Sequence, residues 1–181
     1  DLLCICIVAP PRSGSTLTYQ LATAGFESLY LSNIGNFLYA MPAIGSLLTL
    51  IKCKDHTANF KSDRGFVNGL CGEAEGLRFW KYWANQTLDG ANSIFNFSKA
   101  KRLVETLKII NPVSSRPFIT GYLGHVFCME GLRQVFPNII FIHLRRDLLS
   151  NAYSLYRSSP DNWYSTKPVA VSYTHLTLPT N

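Results

Sequence analysis

The chain has 181 residues, 47% hydrophobic and 15% charged, with a formal net charge of +6 and a pI near 9.1. That balance describes one globular domain with a sizeable core and excludes a disordered chain. The basic excess suits a polyanionic ligand, but the lysines and arginines are dispersed, without a basic run or an aromatic-interleaved strip, which argues against a nucleic-acid partner.

Taken in chain order, residues 2–9 form a continuous apolar run, the pattern of a strand buried on both faces. A helix is expected from about residue 16 to residue 24. One or two buried helical pieces are expected within residues 36–51, where Pro42 and Gly45 interrupt an apolar stretch too short to span a membrane. A polar loop follows to about Gly72, with residues 52–64 expected to be mobile. An aromatic helix is predicted over residues 77–87 and a helix with basic and apolar faces over 98–110, stopped by Asn111-Pro112. Residues 118–122 read as a second strand, 125–135 as a helix, 139–144 as a third strand and 147–157 as the last helix. Strands separated by helices predict an α/β fold, a three-layer parallel sheet with flanking helices and right-handed crossovers. Trp80, Trp83 and Phe79 are expected to pack the core.

The C-terminal end has a different texture. Residues 169–181 carry no Lys, Arg, Asp or Glu and no packing pattern, and Val171-Ser172-Tyr173-Thr174-His175-Leu176 resembles a translated sequencing adapter. Residues 1–168 are therefore expected to form a single domain truncated at its C-terminus, and residues 169–181 a non-native tail. An ordinary edge strand is the alternative. Five cysteines (Cys4, Cys6, Cys53, Cys71, Cys128) include no C-x-x-C pair, and Cys4 and Cys6 share one face of the first strand, as core residues would. The histidines are scattered, so no metal site is expected. This cysteine usage fits a reducing compartment. Cytoplasmic localisation is the expectation, with an upstream anchor left open.

Two stretches carry the chemistry. Directly after the first strand comes Ala9-Pro10-Pro11-Arg12-Ser13-Gly14-Ser15-Thr16. A strand that breaks into such a loop and then opens a helix points backbone N–H groups at an anion, where the helix dipole also favours negative charge. Arg12 adds a fixed positive charge, and the Ser15 and Thr16 hydroxyls can donate to phosphoryl or sulfuryl oxygens. The loop departs from the G-x-x-x-x-G-K-[ST] pattern. A plain corner, with positive-φ Gly14 and a Ser15 or Thr16 cap, would read the same. The second stretch is the apolar strand 139–144 followed by Arg145, Arg146 and Asp147. Two arginines at the carboxyl end of a buried strand lie where ligands bind in open α/β sheets. Ser154, eight residues after Arg146, projects from about the same side of the following helix.

Together these stretches resemble the sulfotransferase family that uses 3′-phosphoadenosine 5′-phosphosulfate (PAPS), which has a P-loop NTPase-like fold. The family loop P-x-[RK]-[ST]-G-[ST]-T is similar to Pro10 through Thr16, and its R-D-P element with a later serine is similar to Arg146, Asp147 and Ser154, with Leu148 replacing the proline. Residues 72–83, GEAEGLRFWKYW, resemble the acidic and aromatic segment of bacterial members. The resemblance implies transfer of a sulfuryl group from PAPS to an acceptor hydroxyl or amine, without a metal. It implies that Pro11, Arg12, Ser13, Gly14, Ser15 and Thr16 hold the 5′-phosphosulfate, with Arg12 catalytic, and that Arg146 or Arg145 with Ser154 holds the 3′-phosphate. An acceptor also needs a base. Glu75 is preferred, with Glu73 and His125 as alternatives. Where many relatives show a lysine, the strand before His125 carries Thr120 and Tyr122. The acceptor class, small molecule, carbohydrate or peptide, stays open. The rival expectations are a P-loop kinase-like phosphotransferase, which ATP turnover with magnesium would reveal, and a non-catalytic nucleotide-binding remnant.

Overall fold

β1 (Leu3–Val8) is a central strand of a four-stranded, all-parallel sheet in the computed structural model, which describes residues 2–63, 65–88, 94–111 and 116–158. The order is β2 (Leu29–Tyr30), β3 (Phe118–Gly121), β1, β4 (Asn138–His143). β1 pairs Ile7 with Gly121 on one side and Val8 with His143 on the other. The chain thus leaves β1 toward β2, returns to β3, and crosses over to β4 on the opposite side. A parallel sheet has helices on both faces, so its strands must be apolar on both.

The alternation along β1 sorts the core into two clusters. Cys4, Cys6 and Val8 face α4 (Leu77–Ala84), α5 (Phe97–Ile110) and α6 (Met129–Val135), in a cluster containing Trp80, Leu103, Leu107 and Phe118. Ile5 and Ile7 face α1 (Ser15–Gly25) through Tyr19, whose hydroxyl donates to Ile119 O at 3.1 Å. As expected, Cys4 and Cys6 are core residues, and Phe79 and Trp80 are buried. Trp83 is partly buried against the same cluster and donates its Nε1–H to Tyr39 O at 2.6 Å.

The expected elements differ from the observed ones in four places, each for a local reason. The 36–51 stretch divides into α2 (Asn33–Phe37), which Ser32 Oγ caps by accepting from Gly35 N at 3.1 Å, and α3 (Pro42–Lys52), which opens on a proline. α4 stops at Ala84 because Asn85 turns left-handed at φ 54. The helix expected over 125–135 is a 3₁₀ turn, Leu123–Phe127, followed by α6, with Cys128 at φ −140 breaking the run. β2, two residues long, is too short to leave a periodic signal. Residues 169–181, the expected non-native tail, lie outside the described residues. Among the described residues, no helix is long and apolar enough to cross a membrane.

Cys53, at the end of α3, forms a disulfide with Cys71. Cysteines eighteen positions apart across an irregular loop give no spacing motif, so the pairing was not legible in the sequence. Closing a loop of this length restricts the unfolded chain by roughly 3 kcal/mol. The Cys53→Ser/Cys71→Ser double variant is expected to melt about 5–10 °C lower than the oxidised protein. An unchanged melting temperature by calorimetry would show that the bond contributes no net stability.

Candidate active site

The register of β1 against β4 sets the site. Val8 lies beside His143, and Leu144 N donates to Val8 O at 3.0 Å. Residues 9–14 and 144–147 therefore leave the sheet side by side at its carboxyl edge, where open α/β sheets bind ligands. The loop is shaped by two left-handed residues, Arg12 at φ 63 and Gly14 at φ 93. Gly14 adopts that conformation without Cβ strain, whereas Arg12 holds it against its preference. Ser13 Oγ donates to Pro10 O at 2.5 Å, tying the loop to itself. α1 begins at Ser15 with no side-chain cap, so its first-turn N–H groups, which have no intrahelical acceptor and form the positive end of the helix dipole, are not satisfied by a capping side chain. A doubly charged anion is complementary to that end.

α7 (Leu148–Ser158) closes the other side. Asp147 caps it, Oδ2 accepting from Ser150 N at 2.9 Å, and this backbone bond holds the Asp147 carboxyl below its usual range. From this unit three side chains reach the loop. Arg146 Nη1 donates to Arg12 O at 2.8 Å, and Asn151 Nδ2 donates to Pro11 O at 2.9 Å. Ser154 Oγ accepts from Arg12 Nε at 3.3 Å. The residues expected to grip the two ends of one nucleotide thus stand in direct contact. Arg145 is exposed and makes no such bond to the loop among the described residues.

The acidic segment is docked against β2 and the residues just after it. Ala74 N donates to Leu31 O at 2.8 Å, Asn33 N to Gly72 O at 2.9 Å, and Tyr30 Oη to Cys71 O at 2.8 Å. Glu75 comes out at the start of the helix. A methyl on Gly65 would meet both Glu75 Oε1, at 3.4 Å, and Thr16 Oγ1, at 3.7 Å, so these two groups flank one point beside the loop. Gly65, at φ +95, is the residue that permits this approach. Burial pushes the Glu75 carboxyl up to about 7. Glu73 instead reaches the far end of α1, where its Oε1 accepts from Thr23 Oγ1 at 2.8 Å.

His125 is placed in the core, fully buried beneath Trp80. Gln86 Oε1, 2.9 Å away, can only accept, so Nδ1 carries the proton and Nε2 accepts from Thr120 Oγ1 at 3.2 Å. Both ring nitrogens are occupied, and burial lowers the imidazole to about 3. A neutral, doubly bonded ring has no lone pair to offer an acceptor. Thr120, on β3, is engaged by that same ring.

Asn151 was not among the expected site residues. Its signal was available, since it lies three positions before Ser154 and so on the same face of α7. The approach of Gly65 to Glu75 had no sequence signal, because it depends on how the 53–72 segment folds back. Among the described residues no cluster of three or more His, Cys, Asp or Glu is placed to hold a metal ion.

A family model described as "Sulfotransferase family" matches residues 5–178. That span runs past residue 168, into the stretch expected to be a non-native tail. Neither the curated proteins nor the solved structures contain a match to this chain. The matched span covers both turns at the sheet edge and the parallel α/β frame that joins them, and the chain belongs to the sulfotransferase family.

Proposed function

We propose that this domain transfers a sulfuryl group from PAPS to an acceptor hydroxyl or amine. PAPS supplies a sulfuryl group on a good leaving group, and the roles of the protein are to bind, orient and stabilise charge. The α1 N–H groups of Ser15 and Thr16, with the backbone of Ser13 and Gly14, bind the 5′-phosphosulfate. The Arg12 guanidinium stabilises charge as it builds on the bridging and equatorial oxygens. Arg146 and Ser154 bind the 3′-phosphate, with Asn151 holding the loop against α7. Glu75 accepts the acceptor's proton. The observation that supports this reading is the contact of Arg146 and Ser154 with Arg12, which joins the turn after β4 to the turn after β1. An anion grip at each turn matches a nucleotide bearing phosphate at both its 3′ and 5′ positions.

Calorimetry with adenosine 3′,5′-bisphosphate and with 5′-AMP tests it. The bisphosphate is expected to bind more tightly, and Arg146→Ala to remove about 10–100-fold of that affinity while changing 5′-AMP binding little. Equal affinities for the two nucleotides would overturn the assignment. The acceptor is a small molecule, a carbohydrate or a peptide. The Cys53–Cys71 disulfide favours an oxidising compartment over the cytoplasm.

A further inference from the structure

At the opposite end of α1 from the Gly14 turn lies a cavity of about 290 Å³, lined by Thr23, Glu73 and residues of the 53–58 stretch. Thr23 is seven positions beyond Thr16, a rise of about 10 Å along a helix, so the cavity is separate from the cleft of the transfer reading. Its volume is near the lower limit of small-molecule sites, about 300 Å³.

Three of its polar atoms are buried and, among the described residues, have no hydrogen-bond partner: Glu73 Oε2, Ser28 Oγ and Arg116 Nε. Glu73 is only 2% exposed. Its other oxygen is occupied by Thr23, and Arg116 Nη2 is held by Glu27 Oε2 at 3.2 Å. Buried polar atoms are nearly always paired, so three around one small cavity point to a ligand. The carboxylate oxygen requires a donor and the guanidinium N–H an acceptor, and a hydroxyl can serve either. Two carboxylates and two cations line the wall (Glu27 and Glu73, Lys54 and Arg116), with His56 Nε2 3.8 Å from Glu73 Oε1, so no excess of either sign selects an ion. Phe26, 60% exposed, and the ring of Tyr30 add apolar faces, as the C–H face of a sugar needs.

We propose that this cavity binds a small, neutral, polyhydroxylated ligand, a sugar unit, through Glu73, Ser28 and Arg116. The Cys53–Cys71 disulfide sets the position of the 53–58 wall against the segment that carries Glu73. The site goes beyond the transfer reading and does not depend on it.

Saturation-transfer NMR on the full chain, without nucleotide, tests it with glucose, galactose, mannose and N-acetylglucosamine. At least one sugar is expected to bind saturably and to remain bound when adenosine 3′,5′-bisphosphate is added. Glu73→Gln is expected to weaken binding about tenfold or more, because hydrogen bonds to charged groups are the stronger ones. Ser28→Ala, which removes one hydroxyl from a loop position, is expected to weaken it severalfold and covers the case in which Glu73→Gln fails to fold. Absence of binding by all four sugars, binding indifferent to Ser28→Ala, or putrescine bound in preference to every sugar would each overturn the proposal. A chain that binds a sugar but not the bisphosphate would overturn the transfer reading alone.

Discussion

Replacing Arg12 with alanine is expected to lower kcat about 10²–10³-fold, the usual cost of removing one donor aimed at charge that develops in a transition state. The measurement is release of adenosine 3′,5′-bisphosphate from PAPS with a panel of phenol, sugar and amine acceptors. Loss of folding is not the cause of the expected effect. Arg12 is exposed, its side chain makes one bond among the described residues, to Ser154 Oγ at 3.3 Å, and exposed substitutions of this kind usually change stability by within about 0.5 kcal/mol. The left-handed backbone at φ 63 is equally strained with alanine, since both residues carry a Cβ. Arg12→Lys should fall between the two, because an ammonium retains the charge but not the planar fork that lets one nitrogen bond Ser154 while others face an anion. If the role is electrostatic, the acceptor KM moves little while kcat falls. A kcat within threefold of wild type would remove Arg12 from the chemistry.

Three of the four described strands, and the turns that follow β1 and β4, were legible in the sequence for one reason. Strands of a parallel sheet are short apolar runs, so residues 2–9 and 139–144 marked their own ends and the polar residues after them. The 139–144 run, expected to be buried, lies at the end of the described sheet order, with Ile140 53% exposed. What could not be read was set by contacts distant in sequence. The β1–β4 register, which brings Arg146 onto the carbonyl of Arg12, joins segments more than 130 positions apart. Glu73 and Glu75 lie two positions apart in one acidic segment, with Glu75 the base preferred from sequence. Docking against the residues after β2 sends one to Thr23 and the other to the neighbourhood of Thr16. His125 shows the same point from the other side. Its place after a strand's carboxyl end suggests a base, but Gln86, from a different segment, accepts a hydrogen bond from Nδ1–H and holds the ring in the core.

Glu75→Gln is expected to lower kcat about 10²–10⁴-fold, the range a general base contributes, and its pH behaviour separates that role from a structural one. With the carboxyl raised to about 7, wild-type kcat should climb with pH through that value as the base ionises, and the variant should lack the rise. Stability should move the opposite way. The folded-state value lies above the ordinary 4.5, so the folded protein binds more protons than the unfolded chain between the two. Wild type therefore loses stability across pH 4.5 to 7, by roughly 3 kcal/mol when complete. The amide that replaces the carboxyl carries no charge to desolvate, so the variant should be the more stable protein at pH 8 and differ least near pH 4. A substitution that inactivates while stabilising at high pH is what a carboxylate kept half-buried beside the Thr16 hydroxyl would give. Equal melting temperatures at pH 8, or a wild-type rate flat from pH 6 to 8, would pass the role of base to another group.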